Sequence, residues 1–306
     1  MGFALEVSNL VVRYGRTVAV SDASFAAPTG EVTALIGANG AGKTTTVETC
    51  EGYVRPSGGS VRVLGLDPTS DATALRPRMG VMLQDGGVPS GARSLEVLRH
   101  MSRLYANPLD PVTLANRLGI ADVRANYRRM SGGEQQRLKF AIALIGRPEI
   151  VFLDEPTAGL DATAKRVVWE LVEQLRQAGV TVLLTTHLMD DVERLADNIV
   201  VMDRGSVVAT GTPAELLRSH QQSLVFDAAP GLDLAALATT LGGGVAVSET
   251  NRGTYQVSGD VSPDSLAIVA AWCAEQGFMP RGLTTGQRRL EDVVLELTNS
   301  GAEVDR

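Results

Sequence analysis

The sequence predicts an α/β fold built on a mostly parallel sheet, followed by a small α+β domain. From residue 31 to residue 202, short apolar runs typical of buried strands alternate with segments of helical spacing. Beyond about residue 220 the pattern changes to short alternating strands and two helices. The chain of 306 residues is also about twice as long as a typical domain. We therefore predict a large domain over residues 1–219 and a small one over residues 220–306.

The individual elements follow from hydrophobic periodicity and from turn residues. Alternating residues and short apolar runs predict strands in the large domain over residues 4–12, 18–26, 31–36, 61–64, 150–153, 180–185 and 199–202. Helical spacing predicts helices over residues 43–50, 95–105, 111–118, 134–145, 162–178 and 189–196. In the small domain we predict strands over residues 224–226, 245–248 and 255–257, and helices over residues 264–276 and 289–299.

Composition and charge exclude several classes of protein. With 44% apolar and 21% charged residues the chain is typical of a globular protein, and its apolar runs are far shorter than the roughly 18 residues that cross a bilayer. Residues 1–219 contain 23 basic and 24 acidic residues, whereas residues 220–306 contain 5 and 11. This acidic end argues against a nucleic-acid-binding face. Two cysteines and three histidines, without CxxC or HExxH spacing, argue against disulfide and zinc frameworks. The amino terminus lacks a signal-peptide pattern, so we expect a cytoplasmic protein.

A glycine-rich segment after the third predicted strand indicates a phosphate site. Residues 37–44 match the pattern G-x-x-x-x-G-K-[ST] and precede a predicted helix. The glycines allow backbone N–H groups to point at a phosphate, and the amino terminus of the helix adds positive potential. Lys43 would contact the β- and γ-phosphates, and Thr44 would ligate Mg²⁺. The predicted nucleotide-binding residues are Gly37, Asn39, Gly40, Gly42, Lys43, Thr44 and Thr45.

Two carboxylates follow the predicted strand over residues 150–153. In an α/β sheet this places Asp154 and Glu155 at the carboxyl end of the strand, beside the glycine-rich loop. Asp154 would hold Mg²⁺ through water, and Glu155 would polarise the attacking water. Taken alone the pattern is weak, because buried strands often end in solvated acids. Together with the glycine-rich loop it predicts hydrolysis of a nucleoside triphosphate.

Residues 130–137, Met-Ser-Gly-Gly-Glu-Gln-Gln-Arg, resemble the signature motif of ATP-binding cassette (ABC) proteins, which other P-loop ATPases lack. Further motifs of that family occur in the family's order. They are an adenine-stacking aromatic at Tyr14, a Q-loop glutamine at Gln84, a D-loop acid at Asp161 and a switch histidine at His187. The resemblance implies an ABC ATPase fold of the P-loop NTPase type, with a helical subdomain over about residues 85–145. It also implies that Lys43, Glu155, Gln84 and His187 take part in hydrolysis, and that Gln84 contacts Mg²⁺.

The signature segment permits two compatible roles. Ser131 followed by Glu134 has the spacing of a helix capping box. The family resemblance implies that Ser131, Gly132, Gly133 and Glu134 also contact the γ-phosphate of an ATP held by a second subunit. Two residues depart from the family pattern, since Met130 replaces the usual leucine and Glu134 the usual glutamine. The added negative charge of Glu134 puts the rate of hydrolysis in doubt.

Residues 290–298 resemble the end of ATPase subunits of the daunorubicin-resistance type, which serve exporters with an ABC-2 membrane subunit. The resemblance implies an ATP- and Mg²⁺-dependent subunit that dimerises head to tail. It also implies attachment to the cytoplasmic face of the membrane through a separate transmembrane permease. Two alternatives remain, an importer subunit and a soluble cassette ATPase that acts on nucleic acid or ribosomes. The single cassette and the acidic end argue against the second. Every predicted phosphate contact precedes residue 220, so the small domain should not be needed for nucleotide chemistry.

Overall fold

A computed structural model describes residues 2–82, 87–219, 223–242, 244–259, 261–286 and 290–299. The chain divides into two compact units, one running to Pro213 and a second from Ala214 to Leu295, with the described residues 296–299 grouped with the first. The domain boundary predicted at residue 220 stays a prediction. Within the described ranges, no helix combines the length and the apolar character that crossing a bilayer requires.

The larger unit contains all the strands and helices that the sequence predicts for it, within a few residues. Its strands are β1 Phe3–Tyr14, β2 Thr17–Pro28, β3 Val32–Ile36, β4 Gly58–Val63, β5 Met79–Met82, β6 Ile150–Asp154, β7 Thr181–Thr186, β8 Asn198–Asp203 and β9 Ser206–Gly211. Its helices are α1 Lys43–Cys50, α2 Ala72–Leu75, α3 Ser94–Ser102, α4 Pro111–Arg117, α5 Gly132–Leu144, α6 Ala162–Gln177 and α7 Met189–Leu195. The sequence analysis missed β5 and β9, and both are short strands without a continuous buried run.

The strands form one nine-stranded sheet in the order β4-β1-β2-β9-β8-β3-β7-β6-β5. The central strands β8, β3, β7, β6 and β5 are parallel, as predicted, and both β3 and β7 are buried along their whole length. The other part of the sheet contains antiparallel pairs, because β1 pairs antiparallel with β2 and β4, and β8 pairs antiparallel with β9. Except for β9, the sequence predicted these strands but not their partners, since alternation identifies a strand without identifying its neighbour.

The order of the parallel strands determines where their loops meet. β7 lies between β3 and β6, with Ile36 paired to Thr186 and Asp154 paired to Thr185. The loops that follow these three strands therefore leave the sheet at the same edge, where ligands bind in open α/β sheets. One edge thus receives the glycine-rich loop after Ile36, the carboxylates after β6 and the histidine after β7.

The smaller unit forms its own four-stranded antiparallel sheet in the order β11-β12-β10-β13. The elements that lie wholly or partly in this unit are α8 Pro213–Ser219, β10 Ser223–Asp227, α9 Ala235–Leu241, β11 Val245–Asn251, β12 Thr254–Gly259, α10 Pro263–Glu275, β13 Arg281–Gly286 and α11 Leu290–Asn299. The α+β prediction is confirmed, and the order from β10 to β13 is the βαββαβ pattern of ferredoxin-like folds. Phe226 contacts Tyr255 and Trp272 in its core, with ring centroids 5.4 and 6.4 Å apart.

Candidate functional site

The glycine-rich loop adopts a backbone that only glycine permits at two of its positions. Gly37 (φ 154°) follows β3, and a Cβ there would lie 2.2 Å from the carbonyl oxygen of Met202. Gly42 (φ 97°) precedes α1, and a Cβ there would lie 2.7 Å from the carbonyl oxygen of Ala19. The loop is therefore packed tightly against the sheet at both ends. Between these ends Asn39 and Gly40 are exposed.

Lys43 is buried at the amino terminus of α1, with 7% of the residue exposed. Its Nζ donates hydrogen bonds to the carbonyl oxygens of Gly37 at 2.8 Å and Ala38 at 3.1 Å, so the side chain lies across the loop. Burial lowers the pKa of Lys43, and the nearby carboxylates of Glu155 and Asp154 offset part of that shift. A buried ammonium at the start of a helix is a favourable position for a phosphate. Thr44 is exposed and Thr45 is half-buried in the same turn.

Thr185 on β7 holds the Asp154 carboxylate and the Glu155 backbone, where β6 ends. Its buried hydroxyl donates to Oδ1 of Asp154 and accepts a hydrogen bond from the backbone N–H of Glu155 at 3.0 Å. Glu155 itself adopts a left-handed backbone conformation (φ 48°), which is uncommon for a residue with a side chain. The chain therefore turns sharply at Glu155, and the hydroxyl of the neighbouring strand fixes that turn.

His187 and Glu155 are in direct contact, although 32 positions separate them in the chain. The Nδ1 atom of His187 lies 2.9 Å from Oε2 of Glu155. The Glu155 side chain is 11% exposed and that of His187 is 52% exposed, so solvent reaches the pair from the histidine side. A neutral His187 donates its Nδ1–H to the carboxylate in this arrangement. Two residues predicted for catalysis are thus brought together by the pairing of β6 with β7.

The signature segment forms the capping box that its spacing predicts. The backbone N–H of Ser131 donates to Oε2 of Glu134 at 2.8 Å, and the backbone N–H of Glu134 donates to the Ser131 hydroxyl at 3.3 Å. Helix α5 therefore begins at Gly132, which is exposed beside the half-buried Gly133. The carboxylate of Glu134 is held at this helix terminus, close to where the resemblance places a γ-phosphate.

A cavity of about 360 Å³ separates the signature from the D-loop. Ser131, Gly132, Gly133 and Arg137 line one side, and Asp161 lies on the other. Asp161 caps α6 by accepting a hydrogen bond from the N–H of Ala164 at 2.8 Å. Among the described residues that line this cavity, none belongs to the glycine-rich loop. This cavity therefore does not connect the signature segment with the glycine-rich loop.

Two further predicted site residues are Tyr14 and Gln84. Tyr14 ends β1 beside the tight turn to β2 and is 49% exposed, which leaves its ring available for stacking. Gln84 follows β5 but lies outside the described residues. Its predicted roles in hydrolysis and at Mg²⁺ stay predictions.

Sequence reasoning missed two residues that connect the site. Thr185 joins the Asp154 carboxylate and the Glu155 backbone to β7, as described above, and Gln136 on α5 donates from Nε2 to the carbonyl oxygen of Pro156 at 2.6 Å. The second bond ties the signature helix to the segment that follows Glu155. A threonine in a strand and a glutamine on a helix are ordinary residues, so only the tertiary contacts identify them.

The comparisons with known proteins agree with the motifs. Residues 20–158 match the family model described as ABC transporter. The chain is 35% identical to the daunorubicin/doxorubicin resistance ATP-binding protein DrrA of Streptomyces peucetius, over 98% of this chain and 94% of that protein. It is 34% identical to the Nod factor export ATP-binding protein I of Ralstonia nicotianae, over 96% of this chain and 93% of that protein. A solved structure of the ATP binding subunit of an ABC transporter superposes with a TM-score of 0.65 at 27% identity, over 71% of this chain and 92% of that one.

This chain belongs to the ABC transporter family. Within that family it is an ATP-binding subunit with ATPase chemistry, as the motifs predicted.

Proposed function

We propose that this chain hydrolyses ATP to drive export of a small molecule, such as a drug, an antibiotic or a lipid-like compound, through a separate membrane subunit. The observation that supports hydrolysis most directly is the contact between Glu155 and His187 at the sheet edge that also carries Lys43. The relatives named for daunorubicin/doxorubicin resistance and for Nod factor export favour an exporter over an importer.

The residues at this edge fit ATP with Mg²⁺. The loop over residues 37–45 would hold the phosphates, with Lys43 on the β- and γ-phosphates and the Tyr14 ring against the adenine. Mg²⁺ prefers hard oxygen ligands, which the exposed Thr44 hydroxyl and the half-buried Asp154 carboxylate supply. Oδ1 of Asp154 accepts from Thr185, which leaves Oδ2 for the metal or its water, and Gln84 would complete the set. The bound metal would neutralise charge on the phosphate oxygens.

Glu155 would orient and polarise the attacking water as a general base. Its side chain is 11% exposed, and the Nδ1–H of His187 would hold one carboxylate oxygen, which leaves the other oxygen to accept from the attacking water. The Thr185 hydroxyl holds the backbone of Glu155 while this happens. The chain thus supplies a positioned base without reorganisation at the moment of reaction.

A second copy of the chain would complete each ATP site. Ser131, Gly132, Gly133 and Asp161 line a cavity whose described lining includes no residue of the glycine-rich loop, and the signature glycines lie at the amino terminus of a 13-residue helix. Such a terminus binds phosphate. We infer a head-to-tail dimer in which the signature and D-loop of one copy face the phosphates on the other.

The membrane partner would dock on the helical insertion over residues 85–130. This insertion contains α3 and α4 and leads directly into the signature helix α5. It is bounded by Gln84 and Ser131, so movement at the nucleotide would reach it from both ends. We place the chain at the cytoplasmic face of the membrane, attached through an ABC-2-type permease, with no nucleic-acid partner.

The catalytic assignment is tested by Glu155→Gln, which keeps the shape of the side chain and removes its basic carboxylate. Hydrolysis should fall by about 10²-fold or more while ATP affinity stays within about twofold. A matched control is Glu170→Gln, an exposed position on α6, which should leave both values unchanged. Near-normal turnover of the Glu155→Gln variant would remove Glu155 from its proposed role.

The composite site is tested by mixing two inactive variants, Lys43→Ala and Ser131→Arg. A mixed dimer contains one site with both intact halves, so part of the activity should return on mixing. Absence of recovery, with mixed dimers demonstrated by differential tagging, would argue for sites formed within one chain.

The direction of transport is tested with the full complex. The chain should co-purify with a polytopic membrane subunit, and inside-out vesicles containing both should accumulate a fluorescent anthracycline when ATP is added. ATP-dependent movement out of such vesicles would support the importer alternative. Recovery of ribosomes or nucleic acid instead of a membrane subunit would support the cytosolic alternative.

A further inference from the structure

Asp191 on α7 is a completely buried carboxylate that the proposed mechanism has not used. Its Oδ1 accepts a hydrogen bond from the indole Nε1–H of Trp169 at 2.7 Å. Its Oδ2 accepts from the hydroxyl of Thr186 at 2.9 Å and from the hydroxyl of Thr157. In the described part of the chain no ion pair involves Asp191. A buried carboxylate is costly unless hydrogen bonds replace its hydration, and here three neutral donors do so.

The two hydroxyl donors belong to the segments that carry the catalytic pair. Thr157 follows Glu155 by two positions, and Thr186 immediately precedes His187. Both hydroxyls converge on the same oxygen of Asp191. One carboxylate oxygen therefore fixes the spacing between the loop after β6 and the loop after β7.

The Thr186 hydroxyl also closes the turn at His187. While it donates to Asp191, it accepts a hydrogen bond from the backbone N–H of Leu188 at 3.0 Å. His187 lies between Thr186 and Leu188 in the chain. The Thr186 hydroxyl, which Asp191 orients, therefore holds the residues on both sides of His187. The imidazole extends from this turn to Glu155, where Nδ1 lies 2.9 Å from Oε2.

We propose that Asp191 is a positioning residue for ATP hydrolysis, which holds His187 at hydrogen-bond distance from Glu155 through Thr186 and Thr157. It acts through these hydroxyls and not on the nucleotide. The inference rests on the proposed roles of Glu155 and His187. Because a catalytic group displaced by about 1 Å can lose about 10²-fold in rate, loss of this link should lower turnover much more than ATP affinity.

The first test uses three variants of strand β7 in the full-length protein. Thr186→Val removes the hydroxyl and keeps the shape, and Thr186→Ser keeps the hydroxyl. Thr181→Val is the matched control, because Thr181 is equally buried at the other end of β7 and its hydroxyl accepts from the N–H of Gly30 at 2.9 Å. We expect Thr186→Val to lower kcat by about 10- to 100-fold with the ATP Kd within about twofold. The Ser variant and the Thr181 control should keep kcat within about threefold.

The second test does not depend on hydrolysis. The chain has three histidines, so the ring nitrogens of His187 can be assigned by nitrogen NMR with a His187→Gln reference. In the parent protein the proton should reside on Nδ1, where Glu155 accepts it. In Thr186→Val and in Asp191→Asn the population should shift to the Nε2–H tautomer, whereas Thr186→Ser should behave as the parent.

The outcomes separate this inference from the proposed function. A parent protein that binds ATP but hydrolyses none would contradict the proposed function, while the tautomer measurement would still test the positioning role. Unchanged kcat and unchanged tautomer in Thr186→Val would overturn the role of Asp191. Parallel losses of kcat, ATP affinity and thermal stability would overturn it as well, because they would indicate a purely structural network. Thr186→Val decides the question even where Asp191→Asn does not fold.

Discussion

Glu51 provides a quantitative test of the electrostatics near the nucleotide site. It follows α1, and only 5% of the residue is exposed, at a cavity of about 290 Å³ lined by Met79, Met82 and Tyr53. Burial is the main reason that the pKa of Glu51 rises from 4.5 to about 8, and the carboxylates of Asp154 and Glu48 add to the shift. Glu51→Gln keeps the shape of the protonated side chain but cannot ionise.

The sign and size of the effect follow from proton linkage. Above pH 4.5 the unfolded chain releases the Glu51 proton, whereas the folded chain keeps it until about pH 8. The folded form binds more protons in this window, so the stability of the parent protein falls as pH rises through it. Folding must protonate Glu51 in this window, which costs about 1.5 kcal/mol of stability near pH 5.5 and about 4 kcal/mol near pH 7.5. The Glu51→Gln variant avoids this cost.

The assay is thermal unfolding of parent and variant at both pH values, followed by circular dichroism. The advantage of Glu51→Gln should be about 2.5 kcal/mol larger near pH 7.5 than near pH 5.5, which corresponds to roughly 5–10 °C in Tm for a unit of this size. Glu170→Gln, at an exposed position on α6, is the control for the substitution itself. An advantage of Glu51→Gln that is equal at the two pH values would refute the reasoning.

Two further substitutions test the signature and the core. Glu134→Gln keeps an oxygen that accepts a hydrogen bond from the Ser131 N–H and removes a negative charge beside the proposed phosphate position. In the Glu155→Gln background, ATP-dependent dimerisation measured by sedimentation should therefore tighten by roughly fivefold. Unchanged dimerisation would show that the charge does not face the phosphate. Thr33→Val removes a fully buried hydroxyl on β3 that has no hydrogen-bond partner among the described residues. The substitution should therefore raise the free energy of unfolding in urea by about 1 kcal/mol without changing ATP affinity. A loss of stability would indicate that this hydroxyl has a partner.

The comparison of sequence with structure is clearest at the two ends of the sheet. The apolar runs of β3, β6 and β7 predicted buried parallel strands, because a strand covered on both faces needs apolar residues at successive positions. The alternating patterns of β1 and β2 predicted strands as well, yet gave no information on their antiparallel pairing. Pairing depends on contacts between distant segments, and these leave no local periodicity.

The same contrast holds in the smaller unit. The helix near its end was predicted from apolar residues at helical spacing, and Leu290, Val293 and Val294 are indeed buried on one side of α11. In contrast, the sequence analysis predicted no strand over residues 281–286, where two glycines and two threonines flank a single leucine. They form β13, since pairing along β10 supplies the backbone hydrogen bonds that propensity does not favour.

The sequence by itself determined which chemical groups lie at the proposed site. The proposed roles of the glycines, Lys43 and the acids after β6 require a fixed spacing, because a phosphate, a metal and a water would each need a particular group on a particular loop. Ser131 with Glu134 likewise specifies a helix start through local hydrogen bonds. Such requirements are local, so they are legible in the order of residues.

Only the tertiary structure decided how these groups are held. The contact of Glu155 with His187, the hydroxyl of Thr185 between two strands and the buried carboxylate of Asp191 all join segments about 30 residues apart. A threonine or an aspartate has no distinctive pattern of its own at such positions. Its role arises when strand pairing brings a second segment within hydrogen-bond distance and burial removes the competing water.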